Sequence, residues 1–177
     1  MACDLTGGRL KPCKDAVGGI RKVHLGTITV GSNDEVTDMT GTFTYNTYDV
    51  KGNSSLETNI TTSIENGTTF FEQVVNITLH KLTKEDNKEL KLMAYGRPHI
   101  LVQTFDNKVL LVGRENGAEV TGGTAVTGTA MGDLQGYTLS FTGNETLMPS
   151  FVEGATDANP FAGMTSATAT ESAQRNP

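Results

Sequence analysis

Residues 54–82 carry the pattern that most constrains this chain. Apolar and polar side chains alternate along two long runs, which are separated by Asn66-Gly67. Alternation with a period of two predicts β-strands, because successive side chains of a strand point to opposite faces. Asn-Gly is a strong hairpin signal, since both residues adopt positive φ at low cost. The pattern therefore predicts a β-hairpin with arms of about a dozen residues, roughly twice the usual strand length.

The two faces of the predicted hairpin differ in chemistry. We predict that the apolar face packs in the core or between subunits, and it consists of Leu56, Ile60, Ile64, Phe71, Val75, Ile77 and Leu79. The opposite face is polar and acidic, and it consists of Glu57, Asn59, Thr61, Glu65 and Glu72. A hairpin this long exposes strand edges that can pair with other chains. The protein must therefore cover these edges or use them to assemble.

Composition supports a mainly β fold in one domain. The chain has 177 residues and 20 glycines, and Thr is abundant, which favours a turn-rich β fold over a helical bundle. A helix is predicted over residues 84–95, because Thr83 is a suitable N-cap and Gly96 and Pro98 end the pattern. We predict a β-sandwich or partial barrel with one flanking α-helix and a long β-hairpin. Alternating or apolar runs predict the other strands at residues 21–30, 41–50, 99–105, 108–112 and 137–142.

Charge and complexity divide the chain into three predicted segments. Residues 1–19 form a basic N-terminal arm, residues 20–148 form the β domain, and residues 149–177 form a low-complexity C-terminal extension that looks disordered in isolation. The net charge of −6 argues against a general nucleic-acid-binding protein, which would present a basic face.

Recognisable catalytic or ligand-binding patterns are absent from the sequence. The three histidines His24, His80 and His99 are isolated, and Cys3 and Cys13 have no partner pattern typical of zinc. No apolar run is long enough to span a bilayer. We therefore predict a protein that is not an enzyme and has no catalytic residues, cofactor, metal site or membrane contact.

Four blocks of sequence together resemble structural proteins of tailed bacteriophages. They are ACDL to GG within residues 2–19, ENGTTFFEQ at 65–73, AYGRPHI at 94–100 and GAEVTGGTAVTGTAMGDLQGYTL at 117–139. The order of elements is most similar to that of phage tail tube proteins. In that family a β-sandwich carries a flanking helix, and long strands join those of neighbouring subunits into a hexameric ring.

The resemblance implies a role for each face of the hairpin. The apolar face would pack on the sandwich, and Glu57, Asn59, Thr61, Glu65 and Glu72 would line the lumen of stacked rings. An acidic, hydrated lumen would let DNA pass during genome ejection without binding it specifically. Contacts between rings would come from basic residues outside the hairpin, namely Arg9, Lys11, Lys14 and Lys51.

The resemblance also implies partners and a location. The chain would assemble with itself in the host cytoplasm and reside in the virion tail. Its partners would be tape measure and tail terminator or tip proteins, with a sheath as a further candidate. Two alternatives stay open: another phage component, such as a capsid decoration or head–tail connector protein, and a carbohydrate-binding β-sandwich module. The last would need aromatic platforms, but aromatic residues make up 6% of the chain and Trp is absent.

Overall fold

The computed structural model of the protein describes residues 7–9, 14, 16–30, 36, 38–50, 52–156 and 158–173. Strands account for 51% of the structure and helix for 8%, which confirms the predicted mainly β class. The elements in chain order are β1 (Ile20–Gly26), β2 (Thr29–Val30), β3 (Met39–Asp49), β4 (Ser55–Ser63), β5 (Thr68–His80), α1 (Lys84–Tyr95), β6 (His99–Thr104), β7 (Val109–Val112), β8 (Glu119–Val126), β9 (Gly136–Glu145), β10 (Ser150–Phe151) and β11 (Ala167–Glu171).

The described strands form two sheets. The larger sheet has the order β10-β7-β6-β1-β3-β11, with β2 also paired to β3, and the smaller has the order β4-β5-β9-β8. Neighbouring strands are antiparallel except β11, which runs parallel to β3. Neither sheet closes into a barrel. The prediction of a β-sandwich with one helix is therefore confirmed.

The first core lies between the two sheets. Alternate residues of the strands point into it, because the period-two pattern gives each strand one apolar face. Val23 and Leu25 enter from β1, Val75 and Ile77 enter from β5, and all four are at most 3% exposed. Full burial of one such side chain stabilises the fold by about 1.5–3 kcal/mol. This core fixes the inward face of the smaller sheet and turns its other face outward.

A second core covers the far side of the larger sheet, and the C-terminal extension supplies part of it. Phe161 is 4% exposed, and its ring lies 5.1 Å from that of Phe43 and 4.6 Å from that of Tyr45. Val152 and Met164 of the extension are also buried in this cluster. The predicted disorder of residues 149–177 is therefore wrong for the described part, residues 149–156 and 158–173. The extension is ordered because the sheet offers an apolar surface that its scattered apolar residues can cover.

A carboxylate fastens the extension to the start of β3. Asp38 accepts hydrogen bonds from the hydroxyls of Ser166 (2.5 Å) and Thr165 (3.1 Å). It also accepts from the backbone N–H groups of both residues, at 3.2 and 3.1 Å, and of Met39, at 2.9 Å. These bonds, led by that from the Ser166 hydroxyl, lower the pKa of Asp38 from 3.8 to about 2. The charged form of Asp38 is therefore the one that holds the extension.

Replacing Asp38 by Asn is expected to lower the melting temperature at neutral pH. Because the folded carboxyl has the lower pKa, its contribution is present above the unfolded value of 3.8 and is lost as the pH falls toward about 2. The difference between wild type and Asp38→Asn should therefore shrink over that interval, which calorimetry at several pH values can follow. Asp49→Asn, at an exposed position of β3, is the control. A difference for Asp38→Asn that stays constant down to pH 2 would contradict the assignment.

His24 is buried beside the second core. Its Nδ1 lies 2.9 Å from the Thr47 hydroxyl, and its ring meets that of Tyr45 edge-on at 5.7 Å. Burial lowers the pKa of His24 to about 4. The imidazole is therefore neutral at neutral pH, which suits its apolar surroundings.

Helix α1 has the predicted bounds, residues 84–95, and is lightly attached to the sandwich. Thr83 caps it, because its hydroxyl accepts a hydrogen bond from the Asp86 N–H at 3.1 Å. Met93 packs against the first core, whereas no residue of the helix is fully buried. The Tyr137 hydroxyl also donates to Asn87 Oδ1 at 2.7 Å. One side of the helix therefore faces the protein and the other side faces outward.

Candidate functional site

The predicted long hairpin exists and consists of β4 and β5. β4 has 9 residues and β5 has 13, and residues 64–67 form the turn between the paired Ser63 and Thr68. Gly67 has φ +63°, while Asn66 is not among the residues with positive φ. The turn is therefore a four-residue connection, and only one residue of the Asn-Gly pair needs the left-handed conformation.

Strand pairing confirms the predicted division into two faces for the paired residues of the hairpin, whereas Ile64 and Glu65 lie in the turn. Leu56 lies opposite Val75 and Ile60 lies opposite Phe71, so the apolar residues of both strands share one face. Asn59 lies opposite Glu72 on the other face. Successive residues alternate between faces, so Glu57 and Thr61 lie with Asn59.

Burial changes along the apolar face from the base of the hairpin to its tip. Val75 and Ile77 are buried, and Leu56 and Leu79 pack partly buried against the first core. Phe71 is half-buried, whereas Ile60 is 60% exposed and Ile64 is 98% exposed. The expectation that the whole face packs on the sandwich is therefore wrong at the tip. The reason is that the pairing of β9 with β5 ends at Phe71. Residues 60–70, here called the hairpin tip, therefore extend beyond β9.

The polar face of the hairpin continues across β9 and β8. Glu57, Asn59, Thr61 and Glu65 are exposed, and Glu72 is half-buried and accepts a hydrogen bond from Asn59 Nδ2 at 3.2 Å. Pairing places further hydroxyl and amide side chains on the same surface, here called the polar sheet face: Asn76, Thr78, Thr124, Thr138, Ser140 and Thr142. The exceptions are Phe70 and Val74, whose even numbers in β5 already place them on this face. The surface is therefore hydrophilic, with few charges.

A shallow groove of about 470 Å³ crosses the polar sheet face above Gly122 and Gly123. Asn76, Thr78 and Thr138 are among the residues that line it. None of the described residues that line the groove is aromatic. The groove therefore offers hydrogen-bonding groups without the stacking surface that sugar-binding sites use.

Both outer edges of the smaller sheet are open in the described structure. β4 and β8 are its terminal strands, with 9 and 8 residues, and each pairs on one side only. An unpaired edge presents backbone N–H and C=O groups to solvent and can add a strand from another chain. The two edges, the hairpin tip and the polar sheet face together form a candidate assembly surface.

Buried polar groups hold the connection between β7 and β8 in place behind this surface. Gln73, 1% exposed, donates through Nε2 to the Leu147 carbonyl at 2.9 Å and accepts through Oε1 from the Gly113 N–H at 3.1 Å. Glu145, 3% exposed, accepts from the N–H groups of Glu115 and Asn116 at 3.0 and 2.9 Å. These bonds satisfy backbone groups of the turn that links the two sheets. No pattern in the sequence predicted these bonds.

The described structure includes two of the four basic residues predicted to join rings. Arg9 and Lys14 are exposed, while Lys11 and Lys51 lie outside the described residues, as do Cys3 and Cys13. His80 is exposed at the end of β5, and the partly buried His99 accepts a hydrogen bond from the Ile28 N–H at 3.1 Å. Burial lowers the pKa of His99. The three histidines therefore have separate environments.

The described residues contain no group of three or more His, Cys, Asp and Glu side chains that could hold a metal ion. Among these residues there is also no helix of the length and apolarity that a bilayer crossing needs. The features of the candidate assembly surface are therefore its side chains and its open strand edges.

The fold and the site define a class: a two-sheet β-sandwich with one helix, a projecting hairpin and two open sheet edges. No protein-family model matches the chain, and neither does any curated protein or solved structure. Any functional conclusion must therefore rest on the sequence and on this geometry.

Proposed function

We propose that the chain is a tail tube protein of a tailed bacteriophage, which forms stacked hexameric rings that conduct the genome during ejection. The observation that carries the proposal is the smaller sheet, with two open edges, one face on the sandwich core and one hydrophilic face. Each open edge can add a strand from another copy, so several copies can close such a sheet into a barrel. The resemblance of the sequence to phage structural proteins supports the same proposal.

The number of strands in the smaller sheet favours repetition around a ring. The strands β4, β5, β9 and β8 alternate in direction, so β4 and β8 at the two edges are antiparallel. When identical copies are related by rotation, β8 of one copy meets β4 of the next in an antiparallel arrangement. An even number of alternating strands therefore repeats without a break in the pattern. The joint is a heterologous head-to-tail contact, which generates a ring when the rotation closes.

The size of the resulting barrel supports a conduit. Six copies of a four-stranded sheet give a barrel of 24 strands. At ~4.8 Å between strands and a tilt of ~40°, the backbone diameter is about 50 Å. Barrels of about 16–18 strands already leave an aqueous channel, so this barrel would hold a wider one.

The polar sheet face would line that channel, because the opposite face is occupied by the first core. Glu57 and Glu72 add negative charge to a surface of Thr, Ser and Asn side chains. Carboxylates repel phosphates, and hydroxyl groups keep the wall hydrated. Such a wall would let DNA slide past without being held. Tape measure and tail terminator or tip proteins are the further partners of this proposal, and a sheath is a possible addition.

The substitution Ile60→Asp is expected to abolish the assembly of tubes and leave the single chain folded. Ile60 is 60% exposed in one copy, so a carboxylate there stays solvated, whereas an apolar contact between copies would be lost. Negative-stain electron microscopy of the purified variant should show no tubes, while circular dichroism and the melting temperature should match those of the wild type.

Glu57→Gln is the matched control on the opposite face of the same strand. It should leave rings intact, because Glu57 would point into a solvated lumen. Tubes that persist in Ile60→Asp would contradict the placement of that face between copies. A wild-type protein that stays monomeric at high concentration, with and without tail partners, would refute the tube itself.

A further inference from the structure

Helix α1 carries an exposed stripe whose chemistry differs from the rest of the acidic chain. Lys84, Lys88, Lys91, Leu92 and Tyr95 are all exposed, with Leu92 at 67% and Tyr95 at 83%. Their spacing places them within about 100° of arc on one side of the helix. Met93, which packs on the first core, lies on the other side. We call these five residues the lysine stripe.

The lysine stripe has no partner within the described part of its own copy. Arg97 beside the helix forms an ion pair with Glu119 at 2.5 Å, and this pair does not involve the three lysines. Exposed apolar side chains beside unpaired charges of one sign mark a surface that a partner can cover. A matching partner would offer apolar side chains together with carboxylate groups.

The hairpin tip has this complementary composition. Ile60 and Ile64 are 60% and 98% exposed, and Glu65 lies exposed in the turn between the strands. Residues 52–80 contain three Glu and no Lys or Arg, so the hairpin is uniformly acidic. The two isoleucines and the Glu65 carboxylate of the hairpin tip match the Leu, Tyr and Lys side chains of the lysine stripe.

One copy cannot bring these two surfaces together. The tip lies at the start of β5, and α1 follows the other end of the same strand, after His80. A strand of 13 residues keeps its ends about 40 Å apart at ~3.3 Å per residue. Each copy therefore presents an acidic apolar tip at one end and a basic apolar stripe at the other.

We propose that the hairpin tip of one copy docks on the lysine stripe of α1 in a second copy of this chain. The contact runs end to end along the strands, so in the proposed tube it joins successive rings. Its role as a ring-to-ring contact rests on the proposed tube. It would take the place of the contacts expected from Arg9, Lys11, Lys14 and Lys51. A single tip is small compared with a stable interface of about 1,200–2,000 Å². The contact would therefore act in multiple copies around a ring, where linked sites reinforce one another.

Photo-crosslinking tests the contact directly. A p-benzoylphenylalanine at position 64 replaces a side chain that is 98% exposed, so the fold should tolerate it. Mixing isotopically labelled and unlabelled full-length protein separates crosslinks between copies from those within one copy. Mass spectrometry should find crosslinks between copies to residues 84–97. Crosslinks to other segments, or none at all, would overturn the proposal, and the same probe at Val17, which is 60% exposed, is the control.

Charge exchange distinguishes this contact from ring formation. Glu65→Lys alone, or Lys88→Glu with Lys91→Glu, should raise the protein concentration needed for tubes by roughly tenfold and leave single rings. Combining the three changes should restore tubes. Lys108→Glu, at an exposed position of the β6–β7 turn, is the matched control and should have no effect.

The outcomes separate the two proposals. Tubes unaffected by the charge reversals, in a protein that forms rings, would overturn the contact and leave the ring standing. Inter-copy crosslinks to α1 in a protein that forms no rings would support the contact and count against the tube.

Discussion

Replacing Phe161 by Ala is expected to lower the free energy of unfolding by about 3–5 kcal/mol, the range measured for large aromatic residues in protein cores. Phe161 is 4% exposed and its ring contacts those of Phe43 and Tyr45. Truncation removes these contacts and leaves a cavity that the rigid sheet beneath cannot fill. Urea denaturation followed by circular dichroism measures the change.

Phe151→Ala is the matched control for this experiment. Phe151 belongs to the same C-terminal extension but is 50% exposed, and the carbonyl that accepts a hydrogen bond from the Val36 N–H survives the substitution. Its cost should be much smaller, below about 1 kcal/mol for a partly solvated side chain. Equal costs at the two positions would mean that the extension does not pack on the larger sheet.

Gly113→Ala is expected to destabilise the protein by about 2–6 kcal/mol, the sum of backbone strain and overpacking. Gly113 has φ +70°, a conformation that other residues rarely adopt. An added Cβ would also lie 2.5 Å from the carbonyl carbon of Gly117 and 2.7 Å from the Ala118 nitrogen. Both are backbone atoms, so the turn between the two sheets must move and would strain the hydrogen bond from Gly113 to Gln73.

Gly67→Ala separates strain from crowding. Gly67 has nearly the same φ, +63°, but nothing lies within 4 Å of the position of an added Cβ. Its cost should be about 1–2 kcal/mol, the penalty of the left-handed conformation alone. Thermal denaturation of both variants gives the comparison. A loss of stability in Gly113→Ala no larger than that in Gly67→Ala would show that the backbone of the turn can relax around the added Cβ.

Local patterns predicted the elements whose causes are local. The helix has its predicted bounds because the Thr83 cap and the Gly96 and Pro98 stop act within a few residues. The hairpin faces were predictable because alternation fixes which side chains share a side, and the pairing of Ile60 with Phe71 follows it. These features need no information about distant parts of the chain.

The placement of the C-terminal extension could not be predicted in this way. Phe161 and Met164 stand alone among small and polar residues, and their burial depends on a surface built by β3, β6 and β7. The parallel pairing of β11 with β3 also joins residues far apart in sequence and leaves no periodic signal. Composition indicated disorder because it counts apolar residues and does not show what they can cover.

The exposure of the hairpin tip was hidden for a related reason. Alternation assigned Ile60 and Ile64 to the apolar face but did not show how far β9 extends beside them. Likewise, the polar sheet face was recognised in β4 and β5, whereas its continuation through Thr138, Ser140 and Thr142 depends on the register of another strand. Both features depend on a neighbouring strand that lies far away in the sequence.

The parallel pairing of β11 with β3 also implies a delay during biosynthesis between the translation of the two strands. Ala167 pairs with Gly41, so the outer edge of β3 is translated long before the strand that covers it. At ~5–20 residues per second, the delay is on the order of 10 s. During this interval Phe43, Tyr45 and a bare strand edge lack their final cover on the nascent chain. A chain whose synthesis stops before Phe161 would keep this apolar surface and strand edge exposed and would be prone to aggregate. Chaperones that shield nascent chains would be most needed during this interval.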